Sequence, residues 1–213
     1  MQTDMTVGKP MKMLLNFTIP VFLGNVFQQL YSMADAVIVG KFVGTKGLAA
    51  VGATGTITFL IIGFLMGVTT GVTVLTSQKF GAGRMDEMRK TVGNAAILSA
   101  VIAVVMTAVS MLGMHRLLVF MHTPEDIFDG AYGYIMIICA GIFTQVLYNL
   151  VSSILRALGN SKTPLYFLIL AAGLNIVLDL VFIIFFHWGA PGAAWATVIS
   201  QGVSGVLCLI YMW

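Results

Sequence analysis

The sequence predicts an all-α integral membrane protein, a bundle of six transmembrane helices with both termini in the cytoplasm. Three observations carry this. Of 213 residues, 59% are hydrophobic and 9% charged, whereas a soluble domain has about 25% charged residues because its surface faces water. Six apolar runs each reach the roughly 20 residues of helix that cross a bilayer core. Lysine and arginine are spread unevenly over the connections between those runs.

The runs are 14–40, 48–77, 91–114, 130–155, 164–186 and 193–213, which together make one six-helix lobe. None alternates apolar and polar residues as a barrel strand would. The first is no cleaved signal: its apolar stretch is too long and it continues through Asp35 to Lys41. Pro20 sits inside it, removing a backbone hydrogen bond and marking a hinge. The second run carries Gly63, Gly67 and Gly71 at spacing four, a ridge expected to pack against another helix. Between the third and fourth runs, residues 115–129 hold the acidic cluster Glu125, Asp126 and Asp129. They read as a solvated outer loop with His115 and His122 on its surface. His187 ends the fifth run, and Trp188 and Trp195 flank the connection to the sixth, where interfacial aromatics belong.

The inner and outer connections separate by charge. The N-terminus (Lys9, Lys12), the second connection (Lys79, Arg84, Arg89, Lys90) and the fourth (Arg156, Lys162) hold eight of the 11 cations. The remaining three are Lys41, Lys46 and Arg116. The positive-inside rule then places both termini in the cytoplasm. With an even number of spans, a second unit of like orientation could follow in the same chain. A net charge of +3 from scattered cations excludes a nucleic-acid face. Cys139 and Cys208 lie inside apolar runs and read as buried thiols rather than a disulfide or metal motif. No serine has a visible base partner, and no cofactor motif appears.

Two of the eight acids, Asp35 and Asp179, fall inside the spans. A carboxylate near a helix centre costs about 2.5–3.5 kcal/mol on insertion, so such residues face a bundle interior and mark ion or proton pathways. Asn25, Gln28, Ser32 and Asp35 share one face of the first span, and Asn175 and Asp179 share one face of the fifth. At about 1.5 Å per residue, Asp35 lies about 9 Å and Asp179 about 12 Å below the outer end. Thr197 is a few residues inside the outer end of the sixth span. Carboxylates brought together out of water repel one another, and one exchangeable positive charge is their natural occupant. A proton serves, and so does a hard ion such as Na⁺ held by carboxylate, amide and hydroxyl oxygens of Asp35, Asp179, Asn175 and Thr197.

Three junctions then carry a resemblance. Gln78-Lys79-Phe80-Gly81-Ala82-Gly83 ends the second span, Arg156-Ala157-Leu158-Gly159-Asn160-Ser161-Lys162-Thr163-Pro164 joins the fourth to the fifth, and Gly189-Ala190-Pro191-Gly192-Ala193-Ala194-Trp195-Ala196-Thr197 opens the sixth. With Asp35, Asn175 and Asp179 in order, the chain resembles the amino-terminal lobe of the multidrug and toxic compound extrusion (MATE) transporters, in the prokaryotic DNA-damage-inducible branch. The resemblance implies one lobe of a twelve-helix fold in a prokaryotic plasma membrane. It also implies an antiporter that exports amphipathic, often cationic, compounds by alternating access. Asp35, Asn175, Asp179 and Thr197 would take the coupling H⁺ or Na⁺, and Tyr134, Asn149 and Ser152 would extend the network, Ser152 standing where some relatives have Asn. No other cofactor is implied. The expected partners are membrane lipid, the exported compound, and a second six-helix lobe, supplied as a missing carboxy-terminal half or by another chain. Two alternatives stay open: a lipid-linked oligosaccharide flippase, which would want a more cationic cavity, and a non-transporting membrane scaffold.

Overall fold

The structure, a computed structural model, describes residues 10–213; Lys9, one of the inner cations counted above, lies outside them. The described residues form α1 (Pro10–Phe42), α2 (Thr45–Gly81), α3 (Met85–Phe120), α4 (Glu125–Ala140), α5 (Ile142–Ala157), α6 (Lys162–Leu180), a π-helical turn (Val181–Phe185) and α7 (Gly189–Met212). Five helical segments are long and apolar enough to cross a membrane. The pair α4 and α5, bent by 46° at their junction, makes a sixth when counted as one span. Large apolar side chains such as Phe59, Leu112 and Phe120 project outward from the bundle, as lipid-facing residues do.

α7 is the centre of the bundle, packed against α4, α5 and α6. Its buried face is built from small side chains, including Ala190, Ala193, Ala194, Ala196, Ser200 and Ser204. Apolar burial gives helices in lipid little reason to associate, so close backbone approach must supply the attraction. The approach is measurable: a Cβ added to Gly205 would lie 3.1 Å from the backbone nitrogen of Tyr148. The bend in the fourth span has the same origin. At Gly141 an added Cβ would sit 2.2 Å from Cγ2 of Val198, so only glycine lets α7 press into the break. The Thr107 hydroxyl, from α3, donates to the Cys139 carbonyl at 3.3 Å beside the break, satisfying a group that the bend exposes.

The turn between α5 and α6 follows from its sequence. Gly159 takes φ +81°, and the Asn160 amide N–H reaches back to the Leu155 carbonyl at 2.9 Å, the left-handed closure that glycine permits. The Asn160 side chain accepts from the Thr163 N–H at 3.1 Å and caps the start of α6.

Two expectations need correction. The outer loop after the third span is short. α3 continues through His115 to Phe120, α4 starts at Glu125, and His115 packs edge-on against Phe128 and Tyr132. The acids Glu125 and Asp126 form the first turn of α4, where they complement the helix dipole, and Asp126 meets Lys46 at 3.6 Å. The Gly63, Gly67 and Gly71 ridge meets no helix among the described residues: each glycine is exposed, with nothing within 4 Å of an added Cβ. The ridge is an outward face of α2.

Candidate functional site

Asp35 of α1, Asn175 and Asp179 of α6, and Thr197 of α7 converge in the half of the bundle nearer the α1–α2 connection and the π-helical turn. The last three are almost wholly buried, and Asp35 is partly so. The Asn175 side-chain amide donates to the Thr197 hydroxyl at 3.5 Å, and that hydroxyl donates onward to Oδ2 of Asp35 at 3.3 Å. The Asp179 carboxyl faces that of Asp35. Four oxygens in this cluster are buried without a hydrogen-bond partner: Oδ1 of Asp35, Oδ1 of Asn175, and both carboxyl oxygens of Asp179.

Local sequence explains the convergence. On α6, Asn175 and Asp179 are one turn apart on the face that meets α7 and α1. On α7, Thr197 lies among alanines, so the two helices approach closely enough for a short hydroxyl to bridge them. The π-helical turn begins two residues after Asp179, and beyond it Trp188 folds back to stack on both Phe182 and Phe186. His187 follows at φ +57°, exposed, its ring nitrogen 3.2 Å from the Phe185 carbonyl.

Other candidates lie elsewhere. Tyr134 stands within electrostatic reach of both carboxyls and packs with Ile38 and Val39 beside them. Gln28, Asn149 and Pro20 instead line a separate cavity, with Tyr148 and Arg156. Asn149 donates to the Gln145 carbonyl at 2.9 Å within its own helix. Ser32 is exposed and donates back to the Gln28 carbonyl at 3.1 Å. Ser152 is fully buried near Tyr148 and Cys208, and its hydroxyl has no partner. The stripe on α1 therefore divides: its Asp35 end enters the carboxyl cluster, and its Gln28 end enters the second cavity.

Two residues of the carboxyl site escaped the sequence reading. Gln201 donates to the Tyr31 hydroxyl at 3.4 Å, and its own Oε1 is buried without a partner. Tyr31 is one turn before Asp35 and Gln201 one turn after Thr197, so the i±4 spacing that links Asn175 to Asp179 also points to them. With them the site has two rungs, each tying α1 to α7.

The oxygen set suits a proton or a hard monovalent cation. It lacks the nitrogen and sulfur ligands of a transition-metal site, and no three His, Cys, Asp or Glu cluster among the described residues.

Comparison with known proteins assigns the family. The MatE family model matches residues 20–181. A probable multidrug resistance protein of Bacillus subtilis (strain 168), YpnP, is 33% identical over 209 residues, 98% of this chain and 47% of that protein. A solved multidrug resistance MATE family transporter of the MOP superfamily in its outward-facing conformation superposes with a TM-score of 0.91. It is 29% identical, covering 97% of this chain and 46% of the other. An inward-facing structure of such a transporter gives a TM-score of 0.82 at 29% identity, over 87% of this chain and 42% of the other. The chain spans about half the length of the relatives named here. Its helical bundle and the family model over most of its length agree, and the chain belongs to the MatE family of membrane transporters.

Proposed function

We propose that the chain is the cation-coupled lobe of a multidrug exporter. Its helices lie in a prokaryotic plasma membrane with both ends in the cytoplasm, and a second six-helix lobe completes the transport path. H⁺ or Na⁺ enters at Asp35, Asn175, Asp179 and Thr197, and an amphipathic, often cationic, compound leaves. The observation that carries this reading is the set of four unpartnered buried oxygens around two facing carboxyls drawn from α1 and α6. A buried carboxylate pair is stable only with a compensating positive charge.

Binding can drive transport only through unequal affinity for two conformations. α1 is the mobile partner in this reading. It supplies Asp35 to the site, and Pro20 interrupts its hydrogen-bond ladder fifteen residues earlier. Occupancy of the site would fix Asp35 against α6 and α7; release would free α1 to bend at Pro20. Solved relatives described in outward-facing and inward-facing conformations support a transporter that alternates between two states. Drug export is taken from the relative described as a probable multidrug resistance protein, and the amphipathic, often cationic class from the family resemblance.

Thermal stability of the purified chain against Na⁺, K⁺ and pH, with Asp179→Asn as control, tests the reading. A ligand at 100 times its Kd stabilises the folded state by about 2.7 kcal/mol. Saturable stabilisation by Na⁺ and not K⁺, lost in Asp179→Asn, assigns Na⁺. A difference between wild type and Asp179→Asn that depends on pH but not on Na⁺ assigns the proton. Superimposable wild-type and variant curves in both titrations would overturn the cation site.

A further inference from the structure

A second cavity, of about 40 Å³, lies between α1, α5 and α6, away from the carboxyl pair and toward the α5–α6 turn. Its polar wall comprises Asn25 and Gln28 from α1, Tyr148, Asn149 and Arg156 from α5, and Ser161 from the turn, the Tyr148 hydroxyl donating to the Pro164 carbonyl at 3.3 Å. No carboxylate lines it. The ion pairs among the described residues are Lys46–Asp126, Lys79–Glu87 and Arg84–Glu87, and Arg156 takes part in none. Asp35, the nearest acid along α1, is seven residues beyond Gln28, about 10 Å at the helical rise.

Arg156 also stands in the last turn of α5, where a cation complements the helix dipole. That role needs only an exposed charge at the helix end. Here the side chain is half-buried and shares a cavity with side-chain amides of another helix, which the dipole does not require. A guanidinium with neutral amide donors beside it, and no competing acid, is the donor set that receives a planar oxyanion in two parallel hydrogen bonds. Volume selects among oxyanions. At roughly 10–15 Å³ for each water-sized position, the cavity has room for about three heavy atoms, the size of a carboxylate. Its remaining walls are apolar, among them Val21, Met66 and Leu165, and Met66 is 40% exposed on the same side.

We infer that this cavity seats the carboxylate head of an amphipathic compound, with Arg156 as its ion partner and the Asn25 and Gln28 amides as neutral donors. The apolar tail runs out over Met66. The inference rests on the exporter reading for its meaning, since it names a substrate class, but it uses none of the cation-site residues.

The test is equilibrium binding of radiolabelled octanoate to the 213-residue chain in phosphatidylcholine nanodiscs, competed by octanamide and by unlabelled octanoate. Octanoate should compete at least tenfold better than octanamide. Arg156→Gln should remove the preference, and Arg156→Lys should retain part of it. Gln28→Glu keeps Arg156 and the α5 terminus intact while placing an acid in the cavity, and it should abolish octanoate binding without lowering the melting temperature. Equal competition by the amide, or an undiminished preference in Arg156→Gln, would overturn the inference. So would loss of octanoate binding in discs containing phosphatidylglycerol, which would make the cavity a seat for lipid phosphate. Asp179→Asn separates the two readings: it should lose the cation response and keep the octanoate preference. Failure of the preference alone, with the cation response intact, would sink this inference and leave the coupled exporter standing.

Discussion

Gly141→Ala should damage the carboxyl site from a distance. The new methyl would lie 2.2 Å from Cγ2, 2.8 Å from Cγ1 and 3.1 Å from Cβ of Val198, against about 3.5–4.0 Å for unstrained carbon contacts. One helix must therefore withdraw by about 1 Å. Overpacking of this kind costs about 1–3 kcal/mol, more than the roughly 1 kcal/mol that alanine gains over glycine in a helix. The displaced residue adjoins Thr197, whose hydroxyl is already 3.3 Å from Asp35, so withdrawal of α7 breaks that contact. Unfolding in mixed micelles should show a net loss of up to about 2 kcal/mol together with a weakened response to cations. Val198→Ala removes both γ-carbons, and as a second mutation it should recover most of the loss and restore the response. A double-mutant coupling near 1–2 kcal/mol is then expected for residues in direct contact. Additive effects, or an intact cation response in a destabilised Gly141→Ala, would refute the claim that this contact sets the position of Thr197.

Other substitutions probe separate parts of the argument. Thr197→Val keeps the shape but removes the bridge between Asn175 and Asp35. It should cost about 1–3 kcal/mol, the usual effect of orphaning a buried partner, with Thr197→Ser recovering most of it; an unchanged melt for valine would remove the bridge from the site. Gln201→Leu, which deletes the Tyr31 rung, should weaken the cation response less than Thr197→Val does, as ranked by half-maximal concentrations in the same titration. Glu87, exposed at the start of α3, is held below its ordinary value of 4.5 by Lys79 first and then Arg84. A depressed carboxylate contributes stability above its unfolded value, and the contribution is lost as pH falls through the folded one. A difference between wild type and Glu87→Gln should thus be present at neutral pH and close below the ordinary value, as read by melting across pH.

The sequence made the carboxyl site legible because of what the membrane forbids. A carboxylate in hydrocarbon needs a reason to be there, so Asp35 and Asp179 announced themselves, and Asn175 followed from helical spacing. Tyr31 and Gln201 carry no charge and incur no comparable penalty, so nothing in their own chemistry singled them out. Depth counting placed Asp35, Asp179 and Thr197 at one level, but the division of the α1 stripe between two cavities depends on how α1 lies on α6, which spacing does not fix. The bend at Gly141 was equally hidden. Residues 130–155 read as one continuous apolar run, and the reason for the glycine is Val198, fifty-seven positions away.

The glycine ridge on α2 shows how a correct local reading can attach to the wrong neighbour. Spacing four marks a helix face narrow enough for backbone approach, yet the approach is not to any helix of this bundle. On α1, Asn25 and Ser32 are exposed with Phe22, Met33 and Val37 around them. Ser32 is satisfied within its own helix by the Gln28 carbonyl, but hydrocarbon would offer the Asn25 side chain no partner, at a cost that a stable span does not carry on its lipid face. The polar face of α1 and the bare glycines of α2 therefore call for a protein or aqueous neighbour, which is the surface a second lobe of the proposed exporter would offer. Replacing Gly67 by leucine discriminates. If α2 meets only lipid there, the two-lobed protein should melt and transport as before; a close-packed second lobe should turn the same substitution into a loss of transport, with the isolated lobe unchanged in stability.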